Sequence, residues 1–267
     1  MGKGAIVLKS KEEVEIIREN GVILGKTHAE VVKVLNEGVS TKSLDVVAEE
    51  FIMDNKGLPS FKGYGGFPAS LCISVNDVVV HGIPSNRVLK NGDVVSIDCG
   101  VFKNGFHADS AYTYVIGEVE SDVVNLLKST KESLYEGISK VRIGNRIGDL
   151  SYAVQSYNEQ RGYGLVRELV GHGVGKDLHE APEVPNFGRR GNGPRMQEGM
   201  VIAIEPMVTL GKRFIVQEDD GWTIRTEDKK MAAHYEHTVM VTKDGCDVLT
   251  TFKYLEEVLK KRKMFYV

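Results

Sequence analysis

Cysteine is scarce in this chain of 267 residues. The three cysteines, Cys72, Cys99 and Cys246, are odd in number and widely spaced, and the sequence has no Cys-x-x-Cys pair. This pattern excludes a cysteine-rich zinc module, and it is typical of proteins that work in a reducing compartment.

Long apolar runs and an excess of one charge are also missing. No apolar segment reaches the length needed to cross a membrane. The first ten residues, MGKGAIVLKS, lack the apolar core of a signal peptide, and Ile6 stands where a myristoylation signal has Ser or Thr. The formal net charge of −3 gives no general attraction to nucleic acid. We therefore expect a soluble cytosolic protein with neither a membrane nor a specific nucleic-acid partner.

The sequence does contain an internal repeat. Both copies read Gly-x-Val-aliphatic-small-Ile-acid, each follows a His-x-x-Pro motif, and each is followed by a further acid. The matched positions are 81–84 and 179–182 for His-x-x-Pro, 92–98 and 199–205 for the repeated segment, and Asp109 and Glu236 for the further acid. Because chance repeats seldom carry chemical groups in the same order, we predict a single domain, residues 1–267. Its two pseudo-symmetric halves would cover about residues 10–118 and 119–250.

The spacing of apolar residues predicts two helices followed by strands in each half. Ser10 and Glu13 have the pattern of a capping box, so a long helix begins there. Ser40 or Thr41 caps the second helix. The remaining predicted elements are strands over residues 69–80, on both sides of an Asn-Asp turn, and helices that begin at Ser121, at about Asp149 and at Tyr254. These elements place the chain in the α+β class.

Residues 92–109, which read GDVVSIDCGVFKNGFHAD, have the pattern of a β-hairpin. Folding about Lys103 and Asn104 places Asp98 and Asp109 nearly opposite each other, within a residue or so of register. Two partly desolvated carboxylates at that distance need a cation or a shared proton. The alternative is that one aspartate flanks the turn and points to solvent. The second copy of the pattern favours the paired interpretation.

Acids and one histidine recur at strand-like positions of both halves. Four carboxylates and one imidazole suit a pair of divalent ions, because bridging carboxylates can hold two cations roughly 3.5–4 Å apart. Oxygen-rich ligation with a single histidine favours Mn, Fe, Co or Zn without deciding among them. Water bound by such ions gives hydroxide near neutral pH, so hydrolysis is the predicted reaction class. The five residues are Asp98, Asp109, His172, Glu205 and Glu236.

Two further histidines, His81 and His179, stand in the matching His-x-x-Pro motifs. A lone histidine is more often structural than functional, but this shared context beside candidate ligands favours catalysis. Each can donate a hydrogen bond to a scissile carbonyl or position a leaving amide. Cys72, within LCISV, is interpreted as a small buried hydrophobe and not as a nucleophile. The glycines of residues 171–175 lack the spacing of a nucleotide-binding loop.

Together these motifs resemble those of the type I methionine aminopeptidases, metallopeptidases of the pita-bread fold. The resemblance extends from about Ser10 to the C-terminus, and it implies helix-helix-strand halves around a central antiparallel sheet. The motifs are HGIP at 81–84, SIDCG at 96–100, HAD at 107–109, GHGVG at 171–175, HEAP at 179–182, IEP at 204–206 and YEHT at 235–238.

The resemblance also implies a role for each candidate ligand. Asp98 would bind one metal ion, and Asp109 and Glu236 would bridge both. His172 and Glu205 would complete the other site, with Glu205 as a candidate proton shuttle.

The substrate side of the site follows from the same resemblance. His179 would contact the scissile carbonyl and His81 the substrate amide, whereas His234, before the Tyr-Glu motif, is given no role. The pocket for the methionine side chain would be lined by Tyr64, Phe67, Cys72, His81 and Trp222, with Leu169, Val170 and Leu178 at its edge.

The implied activity is removal of the initiator methionine from nascent polypeptides when the second residue is small. We expect a monomer. The basic run at residues 260–263 is interpreted as a solvated helix end favoured by the helix dipole, and a weak ribosome contact through it is an alternative hypothesis.

Two other interpretations remain open. A proline-specific aminopeptidase or dipeptidase shares this core but usually carries an additional N-terminal domain. A binding module that has lost its metals should lack at least one ligand, and here all five positions are filled. The chain also lacks the cysteine-rich extension of longer type I enzymes, and His172 and Glu205 are too close in sequence for the helical insertion of type II enzymes.

Overall fold

A computed structural model describes residues 4–267; the first three residues, part of the N-terminal stretch in which we expect no targeting signal, lie outside it. Five α-helices are present in the described chain. They are α1 (Lys11–Val34), α2 (Thr41–Asp54), α3 (Ser121–Ile138), α4 (Ile147–Glu159) and α5 (Lys253–Arg262). None of these helices combines the length and apolar character of a membrane span.

Fifteen β-strands and one short 3-10 helix (Tyr64–Gly66) make up the rest of the regular structure in the described residues. Those before α3 are β1 (Leu58–Pro59), β2 (Leu71–Val75), β3 (Val78–Val80), β4 (Val94–Lys103) and β5 (Phe106–Val115). Those after α4 are β6 (Gly164–Leu165), β7 (Val170–Gly173), β8 (Glu180–Pro185), β9 (Val201–Ile204), β10 (Met207–Thr209), β11 (Ile215–Gln217), β12 (Ile224–Thr226), β13 (Ala232–His234), β14 (His237–Thr242) and β15 (Gly245–Val248).

The starts of the first two helices follow from local capping. Ser10 accepts a hydrogen bond from the Glu13 amide (3.3 Å), and the Glu13 carboxylate accepts one from the Ser10 amide (2.9 Å), so the predicted capping box is confirmed. Ser40 caps α2 with a single hydrogen bond, accepted by its hydroxyl from the Ser43 amide at 3.2 Å. The helix predicted at Ser121 begins there, and the one predicted at Asp149 begins two residues earlier, at Ile147.

The strands pair antiparallel throughout the described residues, as the α+β prediction requires. One four-stranded sheet has the order β1-β4-β2 with β5 on β4, and a five-stranded sheet has the order β15-β14-β9-β7-β8. The two sheets meet where the Glu236 amide donates to Ala111 (2.9 Å) and the Thr238 hydroxyl donates to the Asp109 carbonyl (2.7 Å). Asp109 from the first half of the sequence and Glu236 from the second half are thereby brought close together.

The β4–β5 hairpin differs from its predicted register. Asp98 faces Ala111 and Asp109 faces Gly100, so the two aspartates are offset by two residues and not by the residue or so that we expected. The reason is the turn, which consists only of Asn104 and Gly105, both at positive φ (53° and 82°), and the fold axis therefore runs between them. The two aspartates remain on one face of the sheet as diagonal neighbours.

The C-terminal basic run is not wholly solvated. The Arg262 guanidinium donates to the carbonyls of Val32 and Leu35 at the end of α1. The interpretation as a free helix end is therefore wrong for Arg262, because α5 packs on α1 and brings this side chain to the carbonyls at the C-terminal end of α1. Lys260 and Lys263 are exposed.

Candidate metal centre

One cavity of about 300 Å³ collects the predicted site. Its walls come from both sheets and from the loops that follow β3, β7 and β9. Lining it are all five candidate ligands (Asp98, Asp109, His172, Glu205, Glu236), both candidate catalytic histidines (His81, His179), the other pocket residues (Tyr64, Phe67, Cys72, Trp222) and the three edge residues (Leu169, Val170, Leu178). The structure thus brings together every residue that the sequence analysis selected.

The ligand atoms lie at distances suited to a shared cation. Asp109, His172 and Glu236 each offer one atom within 4.8 Å of the others. The His172 Nε2 atom is 4.0 Å from the Asp109 carboxylate and 3.6 Å from that of Glu205. These separations exceed an ordinary hydrogen bond.

The orientation of His172 is set by the backbone. Its Nδ1 atom lies 2.9 Å from the Gly173 carbonyl, to which it donates a hydrogen. Burial lowers the pKa of His172 to about 4, so the ring is neutral at physiological pH. The lone pair of a neutral ring with its hydrogen on Nδ1 lies on Nε2, which here faces the acids.

The carboxylates are placed where their charge needs compensation. Burial raises the pKa of Asp98 to about 7. Burial, and then the neighbouring acids, raise the pKa values of Asp109, Glu205 and Glu236 well above the usual range. One oxygen each of Asp98, Asp109 and Glu236 is buried without a hydrogen-bond partner in the described chain. Carboxylate oxygens that have no hydrogen-bond partner and lie beside one imidazole are suitable ligand atoms for hard or borderline divalent cations.

His179 faces the same cavity from the end of the loop between β7 and β8. Its ring meets the edge of the His172 ring at a centroid distance of 4.2 Å. The Tyr64 hydroxyl lies 2.6 Å from its Nδ1 atom. A neutral His179 that accepts this hydroxyl proton carries its own hydrogen on Nε2, as a donor to a substrate carbonyl requires.

The remainder of the cavity is apolar and aromatic. Phe67 and Trp222 meet edge to face at 5.2 Å, and the His81 ring stands 6.4 Å from Trp222. Cys72 packs with Phe61 and Phe67. Burial raises the pKa of the Cys72 thiol, so it stays protonated and acts as wall, as predicted.

Several residues in or beside the cavity were not predicted. His234, to which we gave no role, is buried with Nε2 3.8 Å from the Glu205 carboxylate. A signal existed, since His234 precedes Glu236 by two residues, a spacing that puts side chains on one face wherever the chain is extended. Glu180, which also lines the cavity, directly follows His179. No sequence signal identifies Phe61.

Comparison with known proteins gives a consistent match. The model of metallopeptidase family M24 matches residues 15–243. A methionine aminopeptidase from Clostridium acetobutylicum is 49% identical over 246 residues, which are 92% of this chain and 98% of that protein. The crystal structure of a methionine aminopeptidase from Thermotoga maritima superposes with a TM-score of 0.91 at 39% identity, and covers 92% of this chain and 100% of that chain.

A more distant match has the same fold. A prolidase from Pyrococcus horikoshii superposes with a TM-score of 0.75 at 24% identity over 92% of this chain. The match covers only 63% of the prolidase. Similarity at this level concerns the fold alone.

Proposed function

The chain belongs to the methionine aminopeptidases of metallopeptidase family M24, and from this premise we propose how it selects and cleaves its substrate. It is a metal-dependent aminopeptidase that removes N-terminal methionine. We propose that it uses two divalent ions and favours substrates with a small second residue. One observation carries the proposal: the cluster Asp109, His172 and Glu236 opens into the same cavity as an aromatic pocket.

The charge of the candidate ligands supports two ions. Four of the five are carboxylates, and when all four are ionised a single divalent ion compensates only half of their charge. Mn, Fe, Co and Zn all suit four carboxylates with one imidazole. When bound, such ions supply a hydroxide nucleophile near neutral pH and polarise a carbonyl.

The chain's own residues position the peptide and move its protons. His179, supported by Tyr64, donates its Nε2 hydrogen to the carbonyl oxygen as that oxygen gains charge. His81, beside Trp222, contacts the substrate amide. Glu205, the candidate proton shuttle, would accept a proton from the attacking water and pass it to the departing amine.

The pocket is suited to a thioether side chain. Phe67, Trp222 and Cys72 give it aromatic and apolar walls, against which a polarisable sulfur packs well. Leu169 and Val170 line the cavity beside the strand that carries His172. These bulky side chains favour a small second residue on the substrate.

The cellular setting is part of the same proposal. All three cysteines are free thiols, in keeping with a reducing cytoplasm. The substrates would be the N-termini of nascent polypeptides, and the enzyme would act as a monomer. A weak ribosome contact would use Lys260, Lys261 and Lys263, since Arg262 is engaged with α1.

Methionine release from short peptides tests the function. The protein is stripped with a chelator and then assayed with Met-Ala-Ser, Met-Lys-Ser and Ala-Pro-Ser, before and after addition of Mn or Co. We expect metal-dependent release from Met-Ala-Ser, at least tenfold faster than from Met-Lys-Ser.

Each other outcome has a definite meaning. Cleavage of Ala-Pro-Ser in preference to Met-Ala-Ser would favour a proline-directed enzyme. No cleavage of any peptide, with two metal ions bound per chain by calorimetry, would favour a binding module. A single bound ion in a fully active enzyme would contradict the two-ion proposal.

A further inference from the structure

A buried ion pair stands directly behind the candidate catalytic residue His179. The Lys9 ammonium donates to the carboxylate of Glu180, the residue that follows His179 in the chain. The side chains of Lys9 and Glu180 are only 2% and 10% exposed. The two residues are 171 positions apart in sequence, so the contact belongs to the tertiary structure.

The Glu180 carboxylate also holds the loop that joins β7 to β8. Its second oxygen accepts from the Asp177 amide at 3.3 Å. A Cβ atom at Gly175 would lie 2.2 Å from that carboxylate and 2.6 Å from the Lys9 side chain, so the loop backbone is pressed against the pair. The Gly175 carbonyl accepts from the His107 amide at 2.8 Å. The loop is therefore fixed by contacts at Gly175, at Asp177 and at Glu180, the residue with which β8 begins.

Lys9 itself is anchored independently of this loop. Its amide donates to the Gly199 carbonyl at 2.8 Å, and Leu8 forms a β-bridge with Met200. The next residue, Ser10, caps α1. The ammonium group also donates to the Val7 carbonyl at 3.0 Å. Lys9 therefore ties the loop, through Glu180, to a part of the structure that is itself held in place.

Stability alone does not account for such a pair. Removing two charges from water costs about as much free energy as their attraction returns, so buried ion pairs add little net stability. They do fix geometry, because each partner can be satisfied in one arrangement only. Here that arrangement is imposed on a loop that follows β7, the strand with His172, and that ends with His179.

We propose that Lys9 is a positioning residue for the aminopeptidase reaction. Through Glu180 it holds the backbone at His179, so that the imidazole meets the scissile carbonyl as charge develops there. The inference rests on the proposed function of His179. Lys9 does not contact the substrate, and its removal is expected to affect turnover more than binding of substrate or metal.

Substitutions at both partners test this role. Lys9→Met removes the charge at similar volume, Lys9→Arg retains it, and Glu180→Gln removes the partner charge. Lys33→Met serves as the matched control, because Lys33 pairs with Glu30 on the exposed surface of α1. For each full-length variant, kcat and KM on Met-Ala-Ser, calorimetric affinity for Mn and the urea midpoint are measured.

We expect Lys9→Met to lower kcat about tenfold or more, as a small misplacement of a catalytic group does, with KM and Mn affinity within about twofold of wild type. Lys9→Arg should recover most of the lost kcat, and Lys33→Met should match wild type. Unchanged kcat in Lys9→Met would overturn the inference. A fall in Mn affinity as large as the fall in kcat would do the same, as would a Lys9→Arg variant no better than Lys9→Met.

Two further comparisons keep the result interpretable. If Lys9→Met does not fold, Glu180→Gln is judged by the same criteria, because it preserves volume and can still accept from Asp177. Wild-type protein in the same assay separates the two proposals. Wild type without methionine release would contradict the proposed function, whereas active wild type with unchanged Lys9→Met would contradict the positioning role alone.

Discussion

The surroundings of His28 determine its charge. The residue lies on the inner face of α1, with Nε2 3.1 Å from the Ser110 carbonyl and Nδ1 3.2 Å from the Tyr114 hydroxyl. A neutral ring satisfies both contacts, as donor and acceptor respectively. Burial lowers the pKa of His28 to about 4, so a proton on this ring opposes folding.

The lowered pKa of His28 predicts that the folded protein loses stability in mild acid. The unfolded chain protonates His28 near pH 6.5 and the folded chain near pH 4, so the stabilisation present above pH 6.5 is lost as the pH falls toward 4. Its share of the loss between pH 7 and pH 5 is about 2 kcal/mol. We expect His28→Gln to lose correspondingly less free energy of unfolding over this range. Urea unfolding of both metal-free proteins at the two pH values measures the difference, and an equal loss in the variant would contradict it.

Most residues that line the cavity could be selected from the sequence. Asp98, His172 and Glu236 could be selected because acids and histidines on apolar strands are costly unless they are used. Lys9 could not be selected, because nothing local distinguishes it from other lysines near a helix start. Its role depends on a partner brought near by the tertiary fold.

At the scale of elements, a charged side chain on α5 caps the C-terminal end of α1. Helix carbonyls in the last turn have no partner within their own helix. The Arg262 guanidinium supplies one for Val32 and Leu35, and it also contacts the Asn36 side chain. This arrangement couples the last helix of the chain to the first.

Loss of this cap should weaken the contact between α5 and α1. Arg262→Gln removes hydrogen bonds from a charged donor, which contribute roughly 1.5–3 kcal/mol, and we expect the free energy of unfolding to fall by about that amount. Lys261→Gln, one residue away and exposed, should change it by less than about 0.5 kcal/mol. Urea denaturation of both variants checks the comparison. Equal midpoints would mean that Arg262 acts only as a surface charge.

Element boundaries could be predicted where a local signal exists. The capping box at Ser10 set the start of α1 because its hydrogen bonds involve residues close in sequence. The register of the β4–β5 hairpin was missed because it depends on the number of residues in the turn, and Lys103 could belong to turn or strand. The three-residue strands β10 to β13 carry too few side chains for a two-residue period to show.

At the scale of the whole molecule, the metal centre joins distant parts of the sequence. Asp98 and Asp109 come from the four-stranded sheet, and His172, Glu205 and Glu236 come from strands or loops of the second half. Ions bound by both groups would hold the two sheets together, and the unfolded chain has no such site. Metal binding should therefore appear as stability of the entire fold.

Addition of Mn to the stripped protein should raise the free energy of unfolding. At a metal concentration 100 times the dissociation constant the expected gain is about 2.7 kcal/mol. Glu236→Gln should lose most of this gain, because the substitution removes one charged ligand of the cluster. Glu37→Gln, an exposed acid on the surface, is the matched control. An equal gain in Glu236→Gln would mean that Mn binds elsewhere.

The spread of the ligands along the chain also affects when activity can arise during synthesis. Translation delivers residue 98 first and residue 236 last, with 137 residues between them. A ribosome that stalls before codon 236 releases a product with at most four of the five ligands, in which the Ala111 carbonyl also lacks its amide partner. Such incomplete products lack one candidate ligand, so we expect them to bind metal more weakly than the finished enzyme.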